Sequence, residues 1–147
     1  MDMSIPGLQV LSVAGFGPVV PCLADSHKLY IETLRLPLKP MAGNSDYLLT
    51  DNIDGVKHFA LWPLTQASES CFGQPQWPSD LPVPQSWLEF DVADMDTATQ
   101  ALKKHGCRLL VDNRLEPWGQ RVTHFLSPEG MLVGVTYTPW LRTDEVG

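Results

Sequence analysis

Hydrophobic and polar positions along this chain change period several times, and the changes mark out two similar successions of elements. Leu8 to Phe16 has the apolar, β-branched character of a strand, and Ala24 to Leu36 sets Tyr30 and Leu34 one helical turn apart. Pro37 and Pro40 end that helix. Asp46 to Thr50 and Val56 to Leu61 return to strand patterning on either side of an Asp51-Asn-Ile-Asp-Gly55 turn. The second succession runs from a strand at Trp87 to Val92, through a helix at Asp96 to His105 and a strand at Cys107 to Asn113, to a hairpin of Gln120 to Phe125 and Met131 to Thr138. At its Ser127-Pro-Glu-Gly130 turn, Pro128 presets φ and Gly130 accepts a left-handed backbone. Both halves read β-α-β-β, and in the second a further strand follows.

The second helix carries its own punctuation. Asp94 or Asp96 caps the free N–H groups, and Ala98, Ala101 and Leu102 form an apolar stripe. Lys103 and Lys104 sit at the negative end of the dipole, and Gly106 terminates the helix. Between the halves, Pro63, Pro75, Pro78, Pro82 and Pro84 fall within a Gln- and Ser-bearing stretch from Pro63 to Ser86. That stretch predicts a linker with a short helical turn over Ala67 to Phe72. The expected organisation is a single domain over 1–147, with a first module at about 8–64, a linker at about 65–85 and a second module at about 86–140.

Composition narrows the functional classes. With 147 residues, 44% hydrophobic and 18% charged, the chain has enough apolar surface for a folded globule. Its net charge of −7, with ten Lys and Arg and no basic run, opposes nucleic acid and anionic membrane surfaces, and weakly favours cationic ligands. Cys22, Cys71 and Cys107 are odd in number, widely spaced and free of a Cys-x-x-Cys pattern, so neither a disulfide framework nor a structural zinc site is indicated. A reducing, cytoplasmic setting is expected. The apolar Leu8 to Ala24 stretch follows Asp2 and is broken by Gly15, Gly17, Pro18 and Pro21, which fits a strand and loop better than a secretory segment. Gly15-Phe-Gly17 lacks the third glycine of a phosphate loop and reads as a strand-end bend, and no Gly-x-Ser-x-Gly elbow occurs.

The closing hairpin, with its Ser127-Pro-Glu-Gly130 turn, and the helix ending Leu34-Arg-Leu-Pro37 after Tyr30 resemble the vicinal oxygen chelate superfamily of glyoxalases, bleomycin-resistance proteins and extradiol dioxygenases. The resemblance runs from about Leu8 to Tyr137. It implies an α+β fold in which two βαβββ modules form a half-open curved mixed sheet with helices on the convex face, often as a homodimer, the modules pairing within one chain or across two. It also implies a ligand in the concave face beside a metal held by four side chains. Those four places fall near Gly15, Ala60, Trp87 and Gly134, none of which offers a lone pair to a divalent cation. A shift of one residue brings only apolar neighbours and Ser86. A shift of two brings in His58 and Glu89, which with His124 make a displaced metal set conceivable.

Strand alternation puts Trp87, Glu89 and Asp91 on the concave face, with His58 and Trp62 from the fourth strand and Thr136 from the last. With Trp118 these residues describe an aromatic and acidic cleft suited to a flat or cationic organic molecule. As core or interface aromatics the same Trp residues would be equally ordinary. The expected function is therefore metal- and cofactor-independent binding of a small cationic or aromatic ligand, similar to the antibiotic-sequestering members of the superfamily. The alternative is a glyoxalase-like or dioxygenase-like enzyme using a relocated metal, or acid–base chemistry by Glu89 or His58.

Overall fold

The computed structural model of the chain describes residues 8–142. Strand β1 (Val10–Val20) leads into helix α1 (Leu23–Ser26), which continues with wider, π-helical winding over His27–Thr33. β2 (Lys39–Met41), β3 (Asn44–Thr50) and β4 (Phe59–Pro63) complete the first module. Helix α2 (Leu64–Phe72) follows at once. The second module holds β5 (Ser86–Val92), α3 (Met95–Lys104), β6 (Leu109–Leu115), β7 (Arg121–Leu126) and β8 (Leu132–Thr136), and a short 3₁₀ turn, Pro139–Leu141, comes after it.

All eight strands belong to one open mixed sheet in the order β2-β3-β4-β1-β5-β8-β7-β6. Each module repeats one plan: its first strand lies parallel to its own last strand, β1 with β4 and β5 with β8. The two first strands pair antiparallel at the centre of the sheet. The modules therefore join within one chain, an arrangement their sequence left open.

Alternation along the strands divides the core in two. From β4, Phe59 and Leu61 pack with Tyr30 and Ile31 of the first helix, while Ala60 and Trp62 pack with Ala67 and Cys71 of α2. From the second module, Val92 and Val135 meet Met95 and Ala98 of α3, while Trp87 and Leu132 turn to the α2 side. Helices α1 and α3 thus back the convex face, and α2 fills one end of the concave face.

Three features differ from the expectations. The linker contains a nine-residue helix rather than a turn: Pro63 occupies the N-cap, where a missing N–H costs nothing, and the next proline comes only after Gly73 ends the helix at φ +75°. β2 went unforeseen because Pro40 reads as a breaker, yet β2 is a three-residue edge strand whose outer side needs no donor. Gly15-Phe-Gly17 is no strand-end bend. It lies inside β1, where a side chain on Gly17 would run into the Ala60 carbonyl oxygen of β4. Asp94 does cap α3, accepting from the Thr97 N–H at 2.9 Å. Among the described residues no helix is long and apolar enough to cross a membrane.

Candidate functional site

The concave face encloses a cavity of about 920 Å³, at the upper end of the roughly 300–1,000 Å³ typical of small-molecule sites. Its floor is one cross-strand row. Gly15 of β1 opposes Glu89 of β5, Glu89 opposes Gly134 of β8, and Gly134 opposes His124 of β7. The two glycines let neighbouring rings lie flat over the strands. A Cβ on Gly15 would come within 3.0 Å of both His58 and Trp87, and one on Gly134 would lie 2.6 Å from Cδ2 of His124. The Trp87 indole crosses β1 and donates to the Ala60 carbonyl oxygen at 3.2 Å.

Two hydrogen-bonded pairs face this cavity. From the first module, the Tyr47 hydroxyl lies 3.0 Å from Nε2 of His58. Burial, with the Glu89 charge adding to it, pushes the Tyr47 phenol far above its usual range, so the hydroxyl keeps its proton. Burial also holds His58 below its ordinary value, against the pull of Glu89 and Asp51, which leaves a neutral ring able to accept at Nε2. From the second module, Nε2 of His124 lies 3.0 Å from Oε2 of Glu89, and Gln120 donates to Oε1 at 3.2 Å. Gln120 in turn accepts from the Trp118 indole at 2.8 Å, so a residue at the mouth is tied to the carboxylate on the floor. Nδ1 of His124 is buried without a partner among the described residues.

The walls are supplied by elements far apart in sequence. Asn44 of β3 and Gln66 of α2 exchange reciprocal amide hydrogen bonds at 2.7 and 2.9 Å. Arg114 of β6 is held by Glu116 at 2.9 Å and by the backbone and side chain of Ser70 on α2. Past β8 the chain folds back as a strap that brings Trp140 and Leu141 to the cavity. Lys57 donates to the Leu141 carbonyl oxygen at 2.6 Å, and Arg142 grips Asp91 through Nε at 2.8 Å and Nη2 at 3.1 Å.

Of the seven residues singled out by sequence, His58, Trp62, Trp87, Glu89 and Trp118 line the cavity. Asp91 does not. It faces the same side of the sheet but is 0% exposed beneath the strap, where it also accepts from the Thr138 N–H at 2.9 Å. Burial alone would raise its pKa, but the Arg142 and Thr138 hydrogen bonds outweigh it and hold the carboxyl below the usual range. Thr136 is also 0% exposed and lies beneath Gln120, accepting from it at 2.7 Å and donating to the Arg121 carbonyl oxygen. Strand parity gave the face correctly for both, but it carries no information about what later covers that face. Tyr47, Gln120 and Arg114 were missed. Their role depends on partners in other elements, and no local pattern marks them.

The four places where the resemblance expects metal ligands hold Gly15, Ala60, Trp87 and Gly134, and the space beside Gly134 is taken by the His124 ring. These residues do not fit a metal ion. The relocated set does not assemble either: Nε2 of His58 is engaged by Tyr47 and Nε2 of His124 by Glu89. Among the described residues no three His, Cys, Asp or Glu side chains come together in a geometry that could hold a metal. A thiolate nucleophile is also unsupported at the buried Cys71, whose thiol burial pushes up to about 12.

Residues 75–135 match the family model described as Glyoxalase/Bleomycin resistance protein/Dioxygenase superfamily. No curated protein matches the chain in sequence. Among solved structures, a member of that superfamily from Vibrio splendidus 12B01 is similar over 88% of this chain and 98% of its own, with 15% identity and a TM-score of 0.54. A variant of Streptomyces coelicolor methylmalonyl-CoA epimerase in complex with 2-nitronate-propionyl-CoA is similar over 92% and 99%, with 16% identity and a TM-score of 0.56. A protein described as NAD-dependent benzaldehyde dehydrogenase from Legionella pneumophila is similar over 84% and 96%, with 12% identity and a TM-score of 0.55. At such identities the likeness speaks for the fold and not for the reaction. The chain has the fold of the Glyoxalase/Bleomycin resistance protein/Dioxygenase superfamily, and its second module carries that superfamily's sequence pattern.

Proposed function

We propose that this protein binds a small, flat, aromatic or cationic organic molecule in the concave cavity, without a metal at the superfamily's usual position. One observation carries the reading: all four expected ligand positions lack donor atoms, and at Gly134 the missing side chain has been replaced in space by the His124 ring. What remains is a half-open, aromatic-walled volume with a carboxylate on its floor, a size and lining suited to holding a small organic molecule. The acidic balance of the chain, −7 overall, draws cations toward it.

Two measurements test this reading. Elemental analysis of the purified protein is expected to find no stoichiometric transition metal. Tryptophan fluorescence titrated with aromatic amines and their neutral analogues is expected to saturate, because Trp62 and Trp87 line the cavity, and the compound should be recovered unchanged. Stoichiometric zinc, iron or manganese that is lost on His58→Ala would defeat the reading.

A second reading, a metal-free enzyme of the same superfamily, is favoured by one feature. The Tyr47–His58 and Glu89–His124 pairs face a common volume, and a protonated phenol opposite a carboxylate is a workable acid–base arrangement. Turnover of a bound compound, abolished by Glu89→Gln with binding retained, would select it.

A further inference from the structure

The rings around Glu89 form a continuous arc. Tyr47 stacks on His58 with centroids 6.2 Å apart, and His58 meets the edge of Trp87 at 6.0 Å. Trp87 stands at 81° to Trp62 at 5.9 Å, and Trp62 reaches His124 at 5.8 Å. The two indoles meet edge to face at nearly a right angle, and all five rings line the same cavity as Glu89. A group of rings about one cavity is the usual way a protein holds an organic cation, because a ring face presents the negative lobe of its quadrupole to a charge within about 6 Å.

The electrostatics agree. Among the described residues, no Lys or Arg contacts Glu89. Arg114, which lines the wall, is already paired with Glu116. The Glu89 side chain is 13% exposed and borders the cavity, so a ligand that displaces water there meets its charge with less screening than at the open surface. Each of its oxygens already accepts one hydrogen bond, from Gln120 or His124, which fixes the carboxylate and leaves it supplying charge more than acceptor sites. Ring faces likewise offer no good acceptor to an N–H donor. A methylated nitrogen, which carries charge and donates nothing, loses less on entering such a cavity than a primary ammonium, whose three donors would go unpaired.

We infer that the cavity is an aromatic cage for an organic ammonium ion, preferentially a fully substituted one, with Glu89 as the residue that selects charge. The inference rests on the binding reading above and names the chemical class of its ligand.

Two probes of the same shape test it: 4-(hydroxymethyl)phenyltrimethylammonium and 4-tert-butylbenzyl alcohol, whose hydroxyls do not ionise and which differ only in a charged nitrogen for a carbon. Binding is read at pH 8 by calorimetry and by tryptophan fluorescence on the native chain. The expected result is at least tenfold tighter binding of the cation, with Glu89→Gln losing the preference while its affinity for 4-tert-butylbenzyl alcohol changes little. Glu69→Gln, at another carboxylate on the cavity wall, should keep most of the preference. Circular dichroism confirms that both variants are folded. Equal affinity of the wild-type protein for the two probes, or a preference that survives Glu89→Gln, overturns the cage while leaving a binding cavity in place. Binding of neither probe at millimolar concentration overturns the cage and the binding reading together.

Discussion

A side-chain carbon on Gly134 would lie 2.6 Å from Cδ2 of His124, well inside the distance at which packed carbons normally meet. Because His124 sits over a β-strand and is buried, the ring has little room to retreat. Gly134→Ala is therefore expected to cost about 1–3 kcal/mol in a denaturant titration, by overpacking, and to weaken ligand binding by displacing the partner of Glu89. A stability within experimental error of the parent protein would refute the floor geometry. The acid limb of stability should belong largely to Asp91 and His58. Both have folded pKa values below their unfolded ones, so both contributions are present above the unfolded pKa and fade as pH falls. For His58 the loss begins below about pH 6.5, and for Asp91 below about pH 3.9, as the unfolded chain takes up protons that the folded chain resists. Asp91→Asn should lower stability at neutral pH by about 2–3 kcal/mol, less than for a fully buried pair because Arg142 reaches solvent, and should flatten the acid limb. Urea midpoints measured from pH 3 to pH 8 check both statements.

Among the elements, α2 is the one whose position has the largest effect on the site. Its small buried face, Ala67, Ser68 and Cys71, allows it to settle against Trp62 and Trp87 and close one end of the curved sheet. Ala67 has no exposed surface, and Ala67→Leu is expected to cost about 1–3 kcal/mol and to reduce probe affinity by pushing the helix away from the indoles. Calorimetric melting together with the fluorescence titration separates the two effects. The strap after β8 also borders the site. Trp140 is 60% exposed and Trp118 is 55% exposed, and both line the cavity. They stand where an arriving molecule meets them first, so Trp140→Ala should weaken binding while leaving the urea midpoint nearly unchanged, by the logic that truncating an exposed side chain removes little packing.

The whole molecule is built from two copies of one plan, and the cavity arises from their union. β1 and β5 pair within the chain, so the first module's Tyr47–His58 and the second module's Glu89–His124 come to one volume without a second subunit. A bound ligand would touch both modules, and binding should raise the melting temperature of the entire cooperative unit. At a ligand concentration 100 times Kd the expected gain is about 2.7 kcal/mol. Two separate thermal transitions, only one of which moves with ligand, would contradict this union of modules.

The sequence by itself determined the order of the elements other than β2 and α2, the α+β class and the faces of the inner strands, because alternation and helical period are local properties written residue by residue. It also determined the absence of donors at Gly15, Ala60, Trp87 and Gly134, which is a matter of residue chemistry and needs no coordinates. Only the tertiary structure decided which face-sharing residues reach the cavity. Asp91 and Thr136 obey the same parity as Glu89, yet a strap and a glutamine cover them, and coverage depends on segments about fifteen to fifty residues away. It also decided that Pro63 to Ser86 holds a helix inside the cup, since a proline stops a helix only where it falls within one, and here Pro63 precedes the helix while the other four prolines follow Gly73.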